Sequence, residues 1–335
     1  MNGIGGEILQ NPPGYDVDFE MLKQFEREFD LKNPEGCRIP CRVLGYGEMS
    51  IVVEIKEQNM QGLAFKMMPI FETWEEIGGY LETFIEYNRK LEGDIGINMP
   101  LNGYAVFESR MGRPVFFIIQ EKFKPSTIGN QVIHMIPAEM VWMLLKRTLN
   151  ELKKVWDFNN SESDWDVGID GQISNWVIED FDSKNPEIRP DCRLSYVDTS
   201  TPLLRTNGVE QLDTELFLRA APSMLAWILR VFFLQEVTDR YYDFRQVAVD
   251  LLANFYKEQR PELIPSLVSV ANDFFDSECA EFGIEPIEEN ELRSFYREDA
   301  FIWWLYLNMR RLDRWLYRDI LHKEYRYPIP PKIKR

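Results

Sequence analysis

Four features of this 335-residue sequence carry side chains capable of chemistry. Gly45-Tyr46-Gly47-Glu48-Met49-Ser50 joins two apolar stretches. Glycines in such a turn let the backbone approach a phosphate and aim free N–H groups at its oxygens, although a simple hairpin turn uses the same residues. Lys66 interrupts the apolar run Leu63-Ala64-Phe65-Lys66-Met67-Met68. A lysine there either snorkels from a sheet edge or waits for a buried anion. Asp170-Gly-Gln-Ile-Ser-Asn175 leads directly into Trp176-Val-Ile. A carboxylate and an amide five residues apart can serve an acceptor hydroxyl and a metal ion, whereas the plain alternative is an Asp-Gly turn with a capping Asn. Asp198 ends the stretch Leu194-Ser-Tyr-Val-Asp198. Beside Asn175 its hard oxygens could complete a Mg2+ site, with phosphates supplying the remaining ligands; otherwise it is a turn residue near Thr199 and Ser200.

The elements that must position these groups are readable from periodicity. Asp18–Leu31 repeats Phe19, Leu22, Phe25 and Phe29 at helical spacing. Ile39–Leu44, Ser50–Glu57 and Leu63–Ile70 read as strands, and Thr73–Leu91 as a helix carrying glutamates. Tyr104–Glu108 and Pro114–Gln120 form a second strand pair around an Arg-Met-Gly-Arg turn. Beyond Phe123-Lys124-Pro125, Pro137–Trp156 reads as a long helix with Pro at its first turn. Trp176–Phe181 and Arg193–Asp198 read as strands flanking the polar turn Asp182–Asp191, and residues 211–326 as almost wholly helical. The expected fold is α+β and bilobal: an N-terminal helical extension over 1–37, a small antiparallel lobe over 38–122 and a helical lobe over 123–335.

This order of parts resembles the protein-kinase-like superfamily over about residues 38–205, and more closely its aminoglycoside and choline/ethanolamine phosphotransferase branch. The resemblance implies ATP and Mg2+ as cofactors. Gly45, Gly47 and Ser50 would then cover the phosphates, and Lys66 would grip them while held by a glutamate of the Thr73–Leu91 helix. Glu82 and Glu86 both qualify, one turn apart, with Glu82 preferred. Gln120–Lys122 would be the hinge whose backbone meets the adenine. Asp170 would orient or deprotonate the acceptor, and Asn175 and Asp198 would hold Mg2+. Two departures stand out: Gly168 occupies the position of the family's His, and Asp198-Thr-Ser replaces Asp-Phe-Gly.

No Ala-Pro-Glu signature follows Asp198, so the implied acceptor is a small molecule or lipid headgroup rather than a protein. Amino sugars and choline-like amines suit the acidic chain. The rival expectation is a pseudokinase-like module that binds nucleotide and acts through protein partners; transfer of AMP on the same fold is a third. Trp303, Trp304, Tyr306, Trp315 and Tyr317 read as a core stripe of a C-terminal helix, with a cage for a quaternary amine as the alternative.

Composition narrows the rest. The formal net charge of -17 argues against a nucleic-acid footprint. Residues 291–335 nevertheless carry 11 Lys+Arg against 6 Asp+Glu, a basic C-terminus that could fold back on the acidic body or touch a partner or membrane surface. Cys37, Cys41, Cys192 and Cys279 with only His134 and His322 lack the spacing of a zinc site or a thiol or serine hydrolase. The N-terminus shows no signal-peptide pattern, and the longest apolar run, Ala226 to Leu234, is short and broken by Arg230. A cytoplasmic location with no transmembrane segment is expected.

Overall fold

A computed structural model describes residues 6–30, 33–47, 50–162, 164–219 and 238–320, together with 322, 325 and 329. The chain folds into two lobes. The first is a six-stranded antiparallel sheet in the order β1-β5-β6-β4-β3-β2, built from Ile8–Gln10, Cys41–Tyr46, Ile51–Ile55, Leu63–Met68, Asn102–Glu108 and Pro114–Glu121 as β1 to β6. Period-two alternation sends the side chains of each strand to two different layers. Leu63, Phe65 and Met67 of β4 pack with Phe117 and Ile119 of β6 against Leu22 and Phe25 of helix α1 (Phe19–Glu28) and its capping residue Phe29. Met68, Phe116 and Ile118 pack on the opposite face against Ile77, Tyr80, Leu81 and Phe84 of helix α2 (Trp74–Arg89). With helices on both faces, β6 is buried at six consecutive positions, which explains its unbroken apolar reading.

Helix α2 starts where the sequence says it should. Thr73 Oγ1 accepts from Glu76 N–H at 3.3 Å and the Glu76 carboxylate accepts from Thr73 N–H at 3.3 Å, a reciprocal capping box. The same carboxylate takes both terminal nitrogens of Arg219 at 2.7 Å, and this pairing holds it down at about 2. The start of α2 is thereby tied to the segment that follows Asp213.

The second lobe gathers α3 (Gly129–Val132), α4 (Ala138–Ser161), α6 (Phe244–Lys257), α7 (Ile264–Glu278) and α8 (Glu289–Trp315), while Leu216 of the short α5 (Glu215–Leu218) packs into the α2 cluster of the first lobe. Its core joins Leu144, Leu145, Leu149 and Leu152 of α4 to Val247, Leu251 and Leu252 of α6 and to Leu267 and Ala271 of α7. Two small sheets sit at the lobe junction. Strands β8 (Trp176–Ile178) and β9 (Leu194–Tyr196) form the hairpin around the polar turn. Strands β7 (Trp165–Val167), β10 (Leu204–Thr206) and β11 (Val209–Glu210) form an antiparallel trio.

The stretch 211–326 is helical at α6, α7 and α8, while residues 220–237, including the apolar Ala226 to Leu234, lie outside the described residues. The C-terminal aromatic residues correct the expectation of a core stripe in part: Trp303 and Tyr306 are half-buried, but the others are not. Trp304 and Trp315 are 59% and 50% exposed, and Phe301 and Tyr317 also face solvent. Leu292, Leu307 and Arg310 are the buried positions of α8. Among the described residues no helix is long and apolar enough to cross a membrane.

Candidate functional site

Lys66 lies in the middle of β4, paired in register with Val52 of β3 and Ile118 of β6. It shares the α2 face of the sheet with Met68, so its side chain leaves toward the helical lobe. There its ammonium meets Asp198 Oδ1 at 2.8 Å and Ser200 Oγ at 2.5 Å. Ser200 adds two hydrogen bonds of its own to the same oxygen, from Oγ at 2.7 Å and from N–H at 3.4 Å. Burial alone would raise the Asp198 carboxyl, but Lys66 and Ser200 outweigh it and hold the group below the usual carboxylate range. Among the described residues Asp198 Oδ2 makes no hydrogen bond, and the side chain remains 33% exposed.

The loop before β8 delivers Asp170 and Asn175 to the same place. Val197 N–H donates to Asn175 O at 2.9 Å, which sets the amide residue next to Asp198. Asn175 Nδ2 reaches back to Asp170 O at 3.3 Å, leaving its Oδ1 without a protein partner among the described residues. Asp170 Oδ1 accepts from Gln172 N–H at 3.1 Å. Burial, then the charges of Asp250 and Asp198, push the Asp170 carboxyl up to about 7.

Asp250 of α6 belongs to this cluster and was missed in the sequence. Its Oδ2 accepts from Gln172 Nε2 at 3.1 Å, and Lys257 Nζ donates to Gln172 Oε1 at 3.2 Å. Burial and the Asp299 charge push the Asp250 carboxyl up to about 6. The available signal was an acid inside Ala248-Val249-Asp250-Leu251-Leu252, the same kind of interruption that marked Lys66.

Glu82 requires a correction. It is exposed on α2, and the partners of Lys66 are Asp198 and Ser200. Tyr80 faces inward, and two residues further on the helix has turned about 200°, which sends Glu82 to solvent. Glu86 is engaged with Arg89 at 2.8 Å. No glutamate of α2 therefore holds the lysine.

The hinge also differs from expectation. Glu121 N–H and Lys122 N–H donate to Leu101 O at 2.9 Å and Gly62 O at 2.7 Å, because β6 runs to Glu121 and the next residue still bonds back to the turn before β4. Those donors are not open to an adenine. Lys122 Nζ is paired with Glu54, and Gln120 Nε2 donates to Val197 O at 3.3 Å, tying β6 to the residue before Asp198.

In the glycine-rich turn, Gly45 sits at a register shift between β2 and β3. Gly47 N–H donates to Ser50 O at 2.9 Å, and the buried Ser50 hydroxyl occupies the space a Cβ on residue 47 would need. Glu48 and Met49 lie outside the described residues.

Gly168, where the resemblance would have His, has no room for a side chain. A Cβ there would stand 3.0 Å from Leu203 Cβ and 3.2 Å from both Tyr241 O and Tyr242 Cε1. Gly168 N–H is bonded to Leu203 O at 2.9 Å and its carbonyl accepts from the Tyr87 hydroxyl at 2.9 Å. Gly168→Ala should therefore cost about 1–3 kcal/mol through overpacking, read as a lower Tm in thermal unfolding; an unchanged Tm would contradict this packing.

Among the described residues no three His, Cys, Asp or Glu side chains converge as metal ligands. A separate cavity lined by Glu26, Phe29, Arg110 and Arg113 lies beside α1 and the β5–β6 turn and shares no residue with the Lys66–Asp198 cluster.

An antiparallel lobe with one helix on its inner face, a helical lobe, and a lysine–aspartate pair between them make up an α+β, two-lobed architecture. The chain belongs to the family of unknown function DUF6206, which it matches over residues 39–314. No curated protein matches it. Among solved structures it is similar to WaaP in complex with acyl carrier protein, at 13% identity and a TM-score of 0.36, covering 88% of this chain and 98% of that one. It is also similar to wild-type aminoglycoside 2'-phosphotransferase-IIIa bound to GDP, at 10% identity and a TM-score of 0.34, covering 71% and 93%. The same holds for a GDP and kanamycin complex of an aminoglycoside phosphotransferase, at 12% identity and a TM-score of 0.31, covering 74% and 97%. Likenesses this distant assign no residue, and the site rests on its own geometry.

Proposed function

We propose that this chain is an ATP- and Mg2+-dependent phosphotransferase acting on the hydroxyl of a small molecule such as an amino sugar, a choline-like amine or a lipid headgroup. The observation that carries the reading is the meeting of Lys66 and Asp198 at 2.8 Å across the lobes, beside the loop that bears Asp170 and Asn175. A cation and a carboxylate 132 residues apart in sequence are not needed together to fill a core.

The donor set fits Mg2+. Asp198 Oδ2 and Asn175 Oδ1 are hard oxygens without protein partners among the described residues, few in number as this ion prefers. When bound, the ion supplies charge neutralisation at the phosphates. The Lys66 ammonium has a third proton beyond those given to Asp198 and Ser200, and this proton suits a nucleotide phosphate oxygen. Asp170, with its carboxyl pushed up to about 7, matches a group that accepts a hydroxyl proton near neutral pH. The acceptor oxygen then bonds to the terminal phosphorus as the bond to the leaving phosphate oxygen breaks, and Asp170 returns its proton to solvent.

The segment after Asp198 favours a small acceptor. Thr199, Ser200 and Leu203 are buried and the chain enters β10 at Leu204, so no open platform for a peptide lies between them. A second reading, a nucleotide-binding module acting through partners, draws on the exposed Phe301, Trp304, Trp315 and Tyr317 of the C-terminal helical stretch and on the basic C-terminus. Incubation with Mg-ATP and a panel of amino sugars, amino alcohols and lipid headgroups, read by product mass, tests the first. A gain of one phosphoryl group is expected. A gain of an adenylyl group would replace phosphate transfer with AMP transfer, and nucleotide binding without any product would favour the module.

A further inference from the structure

The partners of Lys66 leave α2 without an acidic link to the site, yet the helix touches both catalytic segments. Tyr80 and Tyr87 are seven residues apart, two turns along one face, and both are buried, Tyr87 completely. The Tyr80 hydroxyl donates to Ser200 O at 2.8 Å. Ser200 is the residue whose hydroxyl and N–H hold Asp198 Oδ1 and whose hydroxyl meets Lys66. The Tyr87 hydroxyl donates to Gly168 O at 2.9 Å, two residues before Asp170. Tyr196, on β9 and two residues before Asp198, packs with its ring tilted at 5.2 Å against Trp176, whose indole N–H donates to Gly171 O at 3.3 Å. Each phenol thus ends on a backbone carbonyl two residues from a site carboxylate.

We propose that α2 sets the two catalytic segments in register through Tyr80 and Tyr87, which are positioning residues for Asp198 and Asp170 respectively. The inference rests on the phosphotransferase reading for its kinetic consequence but not for its structural one. A rigid helix that holds both segments at backbone carbonyls makes the distance between Asp170 and Asp198 a property of α2. Any partner or ligand that shifts α2 would move both carboxylates together.

Tyr→Phe substitution removes each hydroxyl while keeping the buried ring. Tyr87→Phe should lower kcat about 10-fold with the KM for Mg-ATP unchanged, because it loosens the acceptor side. Tyr80→Phe should raise the KM for Mg-ATP about 5-fold with a smaller effect on kcat, because it loosens Asp198. Tyr104→Phe, a ring packed on the same helix through Phe84, serves as the control and should change neither. Amide hydrogen exchange of the full-length protein without nucleotide provides a readout independent of turnover. Exchange should quicken about 10-fold at Ile169 and Asp170 in Tyr87→Phe and at Ser200 in Tyr80→Phe, each without the other. Equal loosening of both segments by either variant, or no change in exchange, would overturn the proposal. Absence of turnover in the unsubstituted protein would remove the phosphotransferase reading and leave the exchange arm to decide this one.

Discussion

Asp170→Asn should abolish turnover and at the same time stabilise the protein above neutral pH. The carboxyl is pushed up to about 7 in the fold by burial and by the charges of Asp250 and Asp198, against about 3.9 in an unfolded chain. Between those values the folded protein holds a proton that the unfolded chain has released. Unfolding free energy therefore falls as pH rises from about 4 to about 7, and stays low above that. An asparagine cannot ionise, so the variant avoids this loss. It can still accept from Gln172 N–H as Asp170 does now. A three-unit shift corresponds to about 4 kcal/mol at full weight. Discounted for partial exposure and for charge shared with Asp250, roughly 1–2 kcal/mol of added stability is expected at pH 8, and almost none at pH 4. Turnover should drop on the order of 10²–10⁴-fold, the loss expected of a positioned base. Thermal melts of both proteins from pH 4 to 9, with product formation measured in parallel, check this. Equal stability at pH 8 would mean that the carboxylate is not strained; retained turnover would mean that it is not the base.

Asp198→Asn should act in the opposite direction on stability while also removing activity. Asp198 is paired at 2.8 Å with a Lys66 side chain that is only 16% exposed. Loss of the charge leaves a poorly solvated ammonium opposite a neutral amide. Breaking a buried pair from one side costs about 3–5 kcal/mol; because Asp198 is a third exposed, roughly 1–3 kcal/mol is the expected loss at pH 7. The Asp198 carboxyl is held below its ordinary range, so in the unsubstituted protein the ion pair's contribution is present above about pH 4 and disappears as pH falls through the folded value. The gap between the two proteins should close at low pH, the reverse of the behaviour expected at Asp170. Turnover should fall on the order of 10³-fold or more, as when a preorganised charge at the reacting centre is deleted. Combining Asp198→Asn with Lys66→Met should recover part of the stability but none of the activity; failure to recover any would show that the cost lies elsewhere than in the unpaired lysine.

Periodicity and turn chemistry expose the frame of this protein. Alternation around Lys66 reads as a strand, Thr73 with Glu76 marks the start of α2, and Asp170, Asn175 and Asp198 stand at the ends of a legible hairpin. These features are local, governed by side-chain period and capping within a few residues. What escaped depends on contacts between distant segments. The three-residue β1 exists because β5 offers it an edge, and β7, β10 and β11 are two- or three-residue strands with no period to detect. The partner of Lys66 was a choice among acids 16 and 132 residues away, and only the direction in which α2 turns Glu82 outward decides it. The hinge donors are consumed because β6 extends to Glu121 between two neighbours, a matter of strand length that sequence leaves open. The exposed tryptophans of α8 follow a helical period as faithfully as buried ones would, so pattern alone placed them in the core.

The central claim is that Lys66, Asn175 and Asp198 bind a metal-complexed nucleotide, and the shift in Tm on adding Mg-ATP tests it most directly. At a nucleotide concentration near 100 Kd, binding adds about 2.7 kcal/mol, a rise on the order of 5 °C for a chain of this size. The account predicts that rise for the unsubstituted protein, its loss when EDTA removes the metal, and its absence in Asp198→Asn. No shift in the unsubstituted protein at millimolar Mg-ATP, or an equal shift in Asp198→Asn, would contradict it.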